Sequence, residues 1–114
     1  MKREASKALT AMGIPASNNG FQYIIDAICL LQEPEHFYGK MMILYEQIGK
    51  MHNVPSTTVE RGIRYAFHKV LLKCDSDTLE FYLGWRKGQN YSNKNLLYLL
   101  YWNLKNKEEE NENS

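Results

Sequence analysis

The sequence has little of what marks secreted and membrane-spanning proteins. It holds only two cysteines and three prolines among 114 residues. No apolar run approaches the roughly 18 residues that a membrane-spanning helix requires, and the opening MKREASKALT lacks the apolar middle segment of a signal peptide. We therefore expect a cytoplasmic protein without a membrane partner, in which Cys29 and Cys74 are buried free thiols rather than a disulfide.

Signals of catalysis are missing as well. His36, His52 and His68 share no spacing that fits a metal site, and the two cysteines form no paired-ligand motif. There is no glycine-rich phosphate loop and no nucleophile elbow. These absences predict a protein that is not an enzyme and that binds neither a metal nor a cofactor.

The sequence does contain ample apolar residues and an uneven charge. Hydrophobic residues make up 44% of the chain, which is enough for the core of one domain. Four of the 13 acidic residues lie in the last seven positions, so the rest of the chain has 14 basic and nine acidic residues. That basic body suits a polyanionic partner. We predict one domain over residues 1–106 and an acidic, disordered tail over 107–114.

Helical periodicity dominates the chain, whereas strict alternation is nearly absent. We therefore predict an all-α fold, a bundle-like domain of about six helices that contains a helix-turn-helix. Turn residues separate the predicted helices, which cover about residues 4–12, 19–32, 39–51, 56–73 and 77–85 and a last stretch from 93 onward. The fifth is expected to begin at Asp77, which with Glu80 has the spacing of a reciprocal cap. The last is apolar on nearly all sides, so it is either deeply packed or part of an interface.

The segment over residues 45–67 has the pattern of the helix-turn-helix. Two helices that meet over a short turn need a small residue where they approach, and Gly49 supplies it four residues before Asn53. Asparagine tolerates the left-handed backbone conformation that suits such a turn. The residues that can fill the wedge between the helices are Ile48, Val54 and Val59.

The second helix of this pair, over residues 56–73, has two contrasting faces. Its core stripe consists of Val59, Ile63, Ala66, Phe67 and Val70. The opposite face carries Thr57, Glu60, Arg61, Arg64 and His68. Arginine can bond guanine bidentately, glutamate can accept from cytosine N4 and threonine can do either, so this face predicts base reading in a major groove. The alternative is a structural face, with a Glu60–Arg64 ion pair and a cap formed by Thr57 and Glu60.

The string Val59-Glu-Arg-Gly-Ile-Arg-Tyr-Ala66 resembles the recognition helix of the C-terminal effector domain in the stage-zero sporulation protein A family, which carries Val-Glu-Arg-Ala-Ile-Arg-His-Ala there. Further counterparts follow in the same order at Met12-Gly-Ile-Pro-Ala, Gly20-Phe-Gln-Tyr-Ile, Asp26-Ala-Ile, Leu44-Tyr and Ile48-Gly-Lys. The likeness covers about residues 5–105.

The resemblance implies a transcription regulator with a six-helix fold that binds double-stranded TGTCGAA-type boxes as tandem dimers at sporulation genes. It assigns base contacts to Glu60 and Arg61 and a backbone contact to Arg64. The full predicted set of base contacts is Glu60, Arg61, Thr57 and Thr58. The full predicted set of phosphate contacts is Arg64, Tyr65, His68 and Lys50. Residues 73–85 resemble the region through which the family engages RNA polymerase sigma factor.

Three departures from the family pattern bear on function. Family members normally carry an N-terminal phosphoacceptor receiver domain, whereas the likeness here begins almost at the first residue, as expected of a stand-alone paralogue or an excised effector domain. Thr58 stands where the family has a base-contacting arginine, so the preferred box is expected to differ. Tyr65 replaces histidine, and Gly62 replaces alanine at a cost in helix stability of about 0.5–1 kcal/mol.

A competing hypothesis is a protein-interaction module, such as an antagonist that pairs with a full-length regulator and has lost specific DNA binding. The aromatic residues of the last helix either form its dimer face or pack in the core; they are Tyr98, Tyr101 and Trp102. The three charged residues of the predicted reading face favour DNA binding, whereas the arginine missing at Thr58 favours the alternative.

Overall fold

The structure is a computed structural model that describes residues 1–33, 35, 39–84, 86, 88–89 and 91–113. Over these residues the fold is all-α, as predicted. The six helices are α1 (Lys2–Ala11), α2 (Asn19–Leu31), α3 (Met41–His52), α4 (Ser56–Lys73), α5 (Ser76–Leu83) and α6 (Asn93–Asn113). The first five lie within two residues of their predicted bounds. Among the described residues, no helix is long and apolar enough to cross a membrane.

Side-chain caps fix the beginnings of α2 and α5. Asn18 precedes α2 with an extended backbone, and its side-chain oxygen accepts a hydrogen bond of 2.8 Å from the Gly20 N–H. Asp75 does the same for α5, accepting from the Thr78 N–H at 3.0 Å. Each cap satisfies one of the backbone donors that a helix leaves unpaired in its first turn.

The predicted cap of α5 by Asp77 and Glu80 is therefore wrong. Asp75 has the extended backbone that an N-cap requires, so it takes the position two residues earlier. Asp77 lies inside the first turn, where its charge suits the helix dipole. Glu80 instead pairs with Arg86, at 2.7 Å, and α5 ends where Gly84 adopts a left-handed conformation with φ 73°.

The core is built around α2, which packs against α1, α3, α4 and α6. Ile24 and Ile28 on this helix are completely buried. The wide apolar stripe of α2 explains this central position, because a helix that is apolar over most of its surface must be covered on several sides.

Core packing, one of the two alternatives for the last helix, accounts for most of α6. Its buried side chains are Leu96, Leu97, Leu100, Tyr101 and Leu104. Tyr98 is partly buried against the same core. Trp102 remains 52% exposed and lies 5.5 Å from the ammonium of Lys105, measured to the ring centroid. Of the three aromatic residues considered for a dimer face, Trp102 is thus the exposed one.

The helix α6 continues to Asn113, past the domain boundary predicted at residue 106. Helix thus occupies residues 107–113, where the composition predicts disorder. Lysine and glutamate are strong helix formers, and the Lys107 ammonium donates to the Phe81 carbonyl at 2.7 Å, which ties the helix to the end of α5. An acidic composition therefore does not by itself end the helix.

Cys29 and Cys74 are free thiols, as expected, but they are only partly buried rather than buried. Partial burial still raises the pKa of each thiol. Both groups therefore remain protonated at neutral pH, which makes them poor nucleophiles.

Two glycines meet where α2 crosses α4. A Cβ on Gly20 would lie 2.4 Å from the Gly62 carbonyl oxygen and 2.9 Å from the Ala66 Cβ, and a Cβ on Gly62 would lie 2.8 Å from the Tyr23 ring. These distances are shorter than van der Waals contact. Gly62 therefore has a packing function that offsets its poor helix propensity: it allows α4 to lie against the ring of a buried tyrosine.

We expect Gly20→Ala to lower the free energy of unfolding more than Gly62→Ala does. The first methyl would press on backbone, whereas the second would press on a side chain and gain helix propensity. The expected losses are about 3 kcal/mol and about 1 kcal/mol, measured by urea denaturation. Thr10→Ala on the exposed side of α1 is the control and should change stability by less than about 0.5 kcal/mol. Equal losses for the two glycine variants would contradict the backbone contact.

Candidate nucleic-acid interface

The turn between α3 and α4 has the geometry that the sequence predicts. Asn53 adopts the left-handed conformation, with φ 57° and ψ 47°. The Asn53 and Val54 N–H groups both donate to the Gly49 carbonyl, the second at 2.9 Å. A Cβ on Gly49 would lie 2.5 Å from the Val54 carbonyl oxygen, so this glycine is required by the turn itself. Ile48 and Val59 fill the wedge beneath it and are completely buried.

The first turn of α4 has no side-chain cap. Its N-cap is Pro55, whose carbonyl accepts from the Thr58 N–H at 3.0 Å and the Val59 N–H at 3.4 Å. The cap proposed for Thr57 and Glu60 under the structural alternative is therefore not formed. An uncapped helix N-terminus presents backbone donors and a partial positive charge, which suits an anion.

All the predicted base contacts lie on the solvent side of the N-terminal half of α4. Thr57, Thr58 and Arg61 are exposed, and Glu60 is half-buried. In the part of the chain that the structure describes, Arg61 has neither a hydrogen-bond nor an ion-pair partner. Its guanidinium is thus available to bond another molecule with its full set of donors.

Glu60 is already paired in the unbound protein. Arg64 donates to its carboxylate at 2.9 Å, and the Arg64 guanidinium also lies 5.4 Å from the centroid of the Tyr65 ring. The ion pair of the structural alternative is therefore present. The Arg64 side chain is 51% exposed and that of Glu60 32%, and exposed pairs of this kind contribute little to stability. Either partner can exchange this contact for one with a ligand at small cost.

The predicted phosphate contacts lie in two places around α4. Lys50 is exposed in the last turn of α3 and lines a shallow hollow beside Ser56, at the N-terminal end of α4. Arg64, Tyr65 and His68 are exposed and line a groove of about 690 Å³ on one flank of α4, where it meets the beginning of α6. Cationic side chains thus lie both at the N-terminal end of α4 and along one flank.

The Asn93 side chain joins three helices behind the predicted reading face. Its amide donates to the Glu60 carbonyl at 3.1 Å and to the Tyr45 hydroxyl at 3.3 Å. Burial raises the pKa of Tyr45, against the opposing effect of the bond from Asn93, so the phenol stays protonated at neutral pH. No pattern in the sequence predicted this network, because its members lie on three separate helices.

A second network missed by the sequence analysis holds α3 against α2. The Asp26 carboxylate lies 2.5 Å from the His52 ring nitrogen and accepts from Gln22 at 3.0 Å. The edge of the His52 ring also contacts Tyr23, with centroids 5.1 Å apart. The available signal was Asp26, the one acidic residue of the largely apolar α2, since a carboxylate that is mostly removed from water needs partners.

The segment predicted to engage sigma factor, residues 73–85, includes α5; its last residue, Trp85, lies outside the described residues. Phe81 is 59% exposed. The Asn103 amide donates to the Phe81 and Tyr82 carbonyls at 2.8 and 2.7 Å, beside the bond from Lys107. Burial lowers the pKa of Lys107, with Glu110 acting in the opposite direction. These bonds close the C-terminal end of α5 and fix its position on α6.

The described residues do not assemble a site for metal chemistry. No three His, Cys, Asp or Glu side chains among them come together as a metal ion would require. Of the three histidines considered in the sequence, His36 lies outside the described residues, His52 is paired with Asp26, and His68 is exposed on α4.

In a comparison with protein-family models, the model described as sporulation initiation factor Spo0A C terminal matches residues 5–104. The matched span runs from Ala5 in α1 through α5 to the buried portion of α6. It therefore includes the helix-turn-helix and both side-chain networks behind it.

We expect His52→Ala to destabilise the protein much more than Gln22→Ala, although both side chains bond the same carboxylate. The first bond joins two helices and leaves Asp26 without its only long-range partner among the described residues; the second lies within α2. The expected losses in free energy of unfolding are about 1–3 kcal/mol for His52→Ala and less than about 0.5 kcal/mol for Gln22→Ala. Urea denaturation at neutral pH measures both, and similar losses would show that the bridge does not hold α3.

Proposed function

The chain belongs to the Spo0A C-terminal family, and on that premise we propose that it is a sequence-specific transcription regulator that reads a DNA major groove with α4. Membership implies a DNA-binding effector domain of sporulation control rather than an enzyme. The observation that carries the finer proposal is Arg61, which is exposed in the first half of α4 and has no partner among the described residues. An arginine in that state is the side chain best suited to bind guanine.

Glu60 and Arg61 are the proposed base readers, with Thr57 and Thr58 beside them. Glu60 would exchange its contact with Arg64 for the amino group of a cytosine, and Arg61 would bond the O6 and N7 atoms of a neighbouring guanine. Adjacent C and G positions occur in the TGTCGAA box. The weakness of an exposed ion pair supports this exchange.

The phosphate contacts proposed around α4 set its register on the duplex without reading sequence. They are Arg64, Tyr65, His68 and Lys50. Their exposure at the N-terminal end of α4 and along one of its flanks supports this assignment. By resemblance, two copies would occupy tandem boxes as a homodimer, and the α5 region would contact RNA polymerase sigma factor.

We expect Arg61→Ala and Arg64→Ala to weaken DNA binding in different ways. Arg61→Ala should cost about 1–3 kcal/mol on a TGTCGAA-type box and reduce selectivity over a scrambled duplex, whereas Arg64→Ala should weaken all duplexes similarly. Fluorescence anisotropy at one fixed salt concentration measures both, because phosphate contacts alone shift affinity strongly with salt.

The control for this pair is Lys105→Gln, which removes a charge at the distant end of α6. Negligible effects of both arginine variants would exclude α4 as the reading helix. If the wild-type protein binds no duplex, or binds all duplexes equally, the result would favour the alternative of a protein-interaction module. The exposed side chain of Trp102 is the structural feature that supports this alternative.

We expect Thr58→Arg to increase affinity for the TGTCGAA box. The family pattern has a base-contacting arginine at this position, and the exposed site on α4 has room for the longer side chain. One good arginine–guanine contact is worth about 1–3 kcal/mol of discrimination, so the gain should be roughly tenfold and confined to the box. A competition assay between the box and single-position variants checks this. An equal gain on scrambled DNA would show that the new charge binds phosphate only.

A further inference from the structure

The groove of about 690 Å³ on one flank of α4 has a second wall that the proposed DNA contacts do not use. That wall consists of the residues just before α6, with Tyr91, and of the first turn of the helix, with Lys94. Tyr91 is 70% exposed and Lys94 is also exposed. Across the groove stand Arg64 and His68, two of the proposed phosphate contacts.

The beginning of α6 is held at a fixed distance from the reading residues. The Asn93 amide donates to the backbone carbonyl of Glu60 at 3.1 Å, and Lys94 is the next residue in the chain. The first turn of α6 therefore cannot move away from α4 without breaking this bond and the one from Asn93 to Tyr45.

An α-helix with its side chains is about 10–12 Å wide, and the major groove of B-DNA is about 12 Å wide. A helix lying in that groove consequently has a phosphate backbone along each flank. Along the flank of α4 that carries Arg64 and His68, the element next to a bound backbone is the first turn of α6.

Lys94 lies where a helix disfavours a cation. The N-terminal end of a helix carries a partial positive charge. The Ser92 hydroxyl accepts from the Asn95 N–H at 3.2 Å but brings no negative charge, and α6 has no acidic residue in its first turn. Within the residues that the structure describes, the Lys94 ammonium has no ion-pair partner. Two positive features therefore coincide at an exposed position, which suits a phosphate supplied by another molecule.

We propose that the first turn of α6 is a second DNA-binding element, in which Lys94 binds a backbone phosphate on the flank of α4 that carries Arg64 and His68, with the Tyr91 hydroxyl beside it. This inference rests on the proposed function and adds a contact from outside the helix-turn-helix. Its role is affinity and register, because a lysine on a phosphate reads no sequence.

The test is the salt dependence of DNA binding by Lys94→Gln. The full chain is titrated with a TGTCGAA-type duplex and a scrambled duplex between 50 and 200 mM salt. Loss of one phosphate contact should reduce the slope of log K against log salt by about 0.9 and weaken binding roughly fivefold to tenfold near 0.1 M salt, equally on both duplexes. Lys94→Arg should restore the wild-type slope.

Lys105→Gln is the matched control, since it removes the same charge from the same helix about 16 Å further along. Lys94→Gln removes a cation from a helix N-terminus, so the variant should be at least as stable as wild type in thermal denaturation. A fall in its DNA affinity therefore cannot be ascribed to unfolding.

Equal slopes for Lys94→Gln, Lys105→Gln and the wild type would overturn the inference while leaving the proposed function intact. A reduction confined to the box, with none on scrambled DNA, would also overturn it, because the contact would then depend on base sequence. A wild-type protein that binds neither duplex would remove the proposed function and this inference together.

Discussion

Where α2 crosses α4, Gly20 and Gly62 bring the two helices so close that neither position has room for a methyl group. The direction of α4 on the domain follows from this contact. One side of α4 must lie on α2 and the buried ring of Tyr23, so the opposite side is the one that faces solvent. The polar residues of the proposed reading face lie on that side because the apolar stripe of the same helix is buried in the core.

Two further contacts limit the movement of α4 relative to its neighbouring helices. The Asp26–His52 bridge fixes α3, and with it the turn that leads into α4. Asn93 bonds the backbone of Glu60 from α6. Because α4 is held on three sides, it would lose little conformational entropy on binding. Preorganisation of this kind raises affinity. The side chains that would touch DNA are exposed, whereas those that hold them in place are partly or wholly buried.

Local chemistry predicted much of this arrangement from the sequence. The bounds of α4, the left-handed turn at Asn53 and the polar and apolar faces of α4 all follow from interactions within a few residues. From the sequence, either Asp75 or Asp77 could cap α5. Asp75 does so because its backbone is extended, and amino-acid composition does not determine that conformation. The networks at His52 and Asn93 join residues 26 and 33 positions apart. Such pairs depend on how the helices pack, so no local pattern identifies them.

The first turns of α4 and α6, which lie at the proposed DNA-binding face, contain no acidic residue, whereas that of α5 contains one. In α5, Asp75 caps the backbone and Asp77 adds negative charge, so the dipole of the helix is satisfied within the protein. In α4 no side chain caps the helix. In α6 the Ser92 hydroxyl accepts from the Asn95 N–H, but the first turn carries Lys94 and no acidic residue. Neither first turn therefore has a negative charge to offset the helix dipole, and the core contacts of α4 and α6 compensate. Local positions that oppose stability in the absence of a ligand are characteristic of binding sites, and here the missing component at both positions is negative charge.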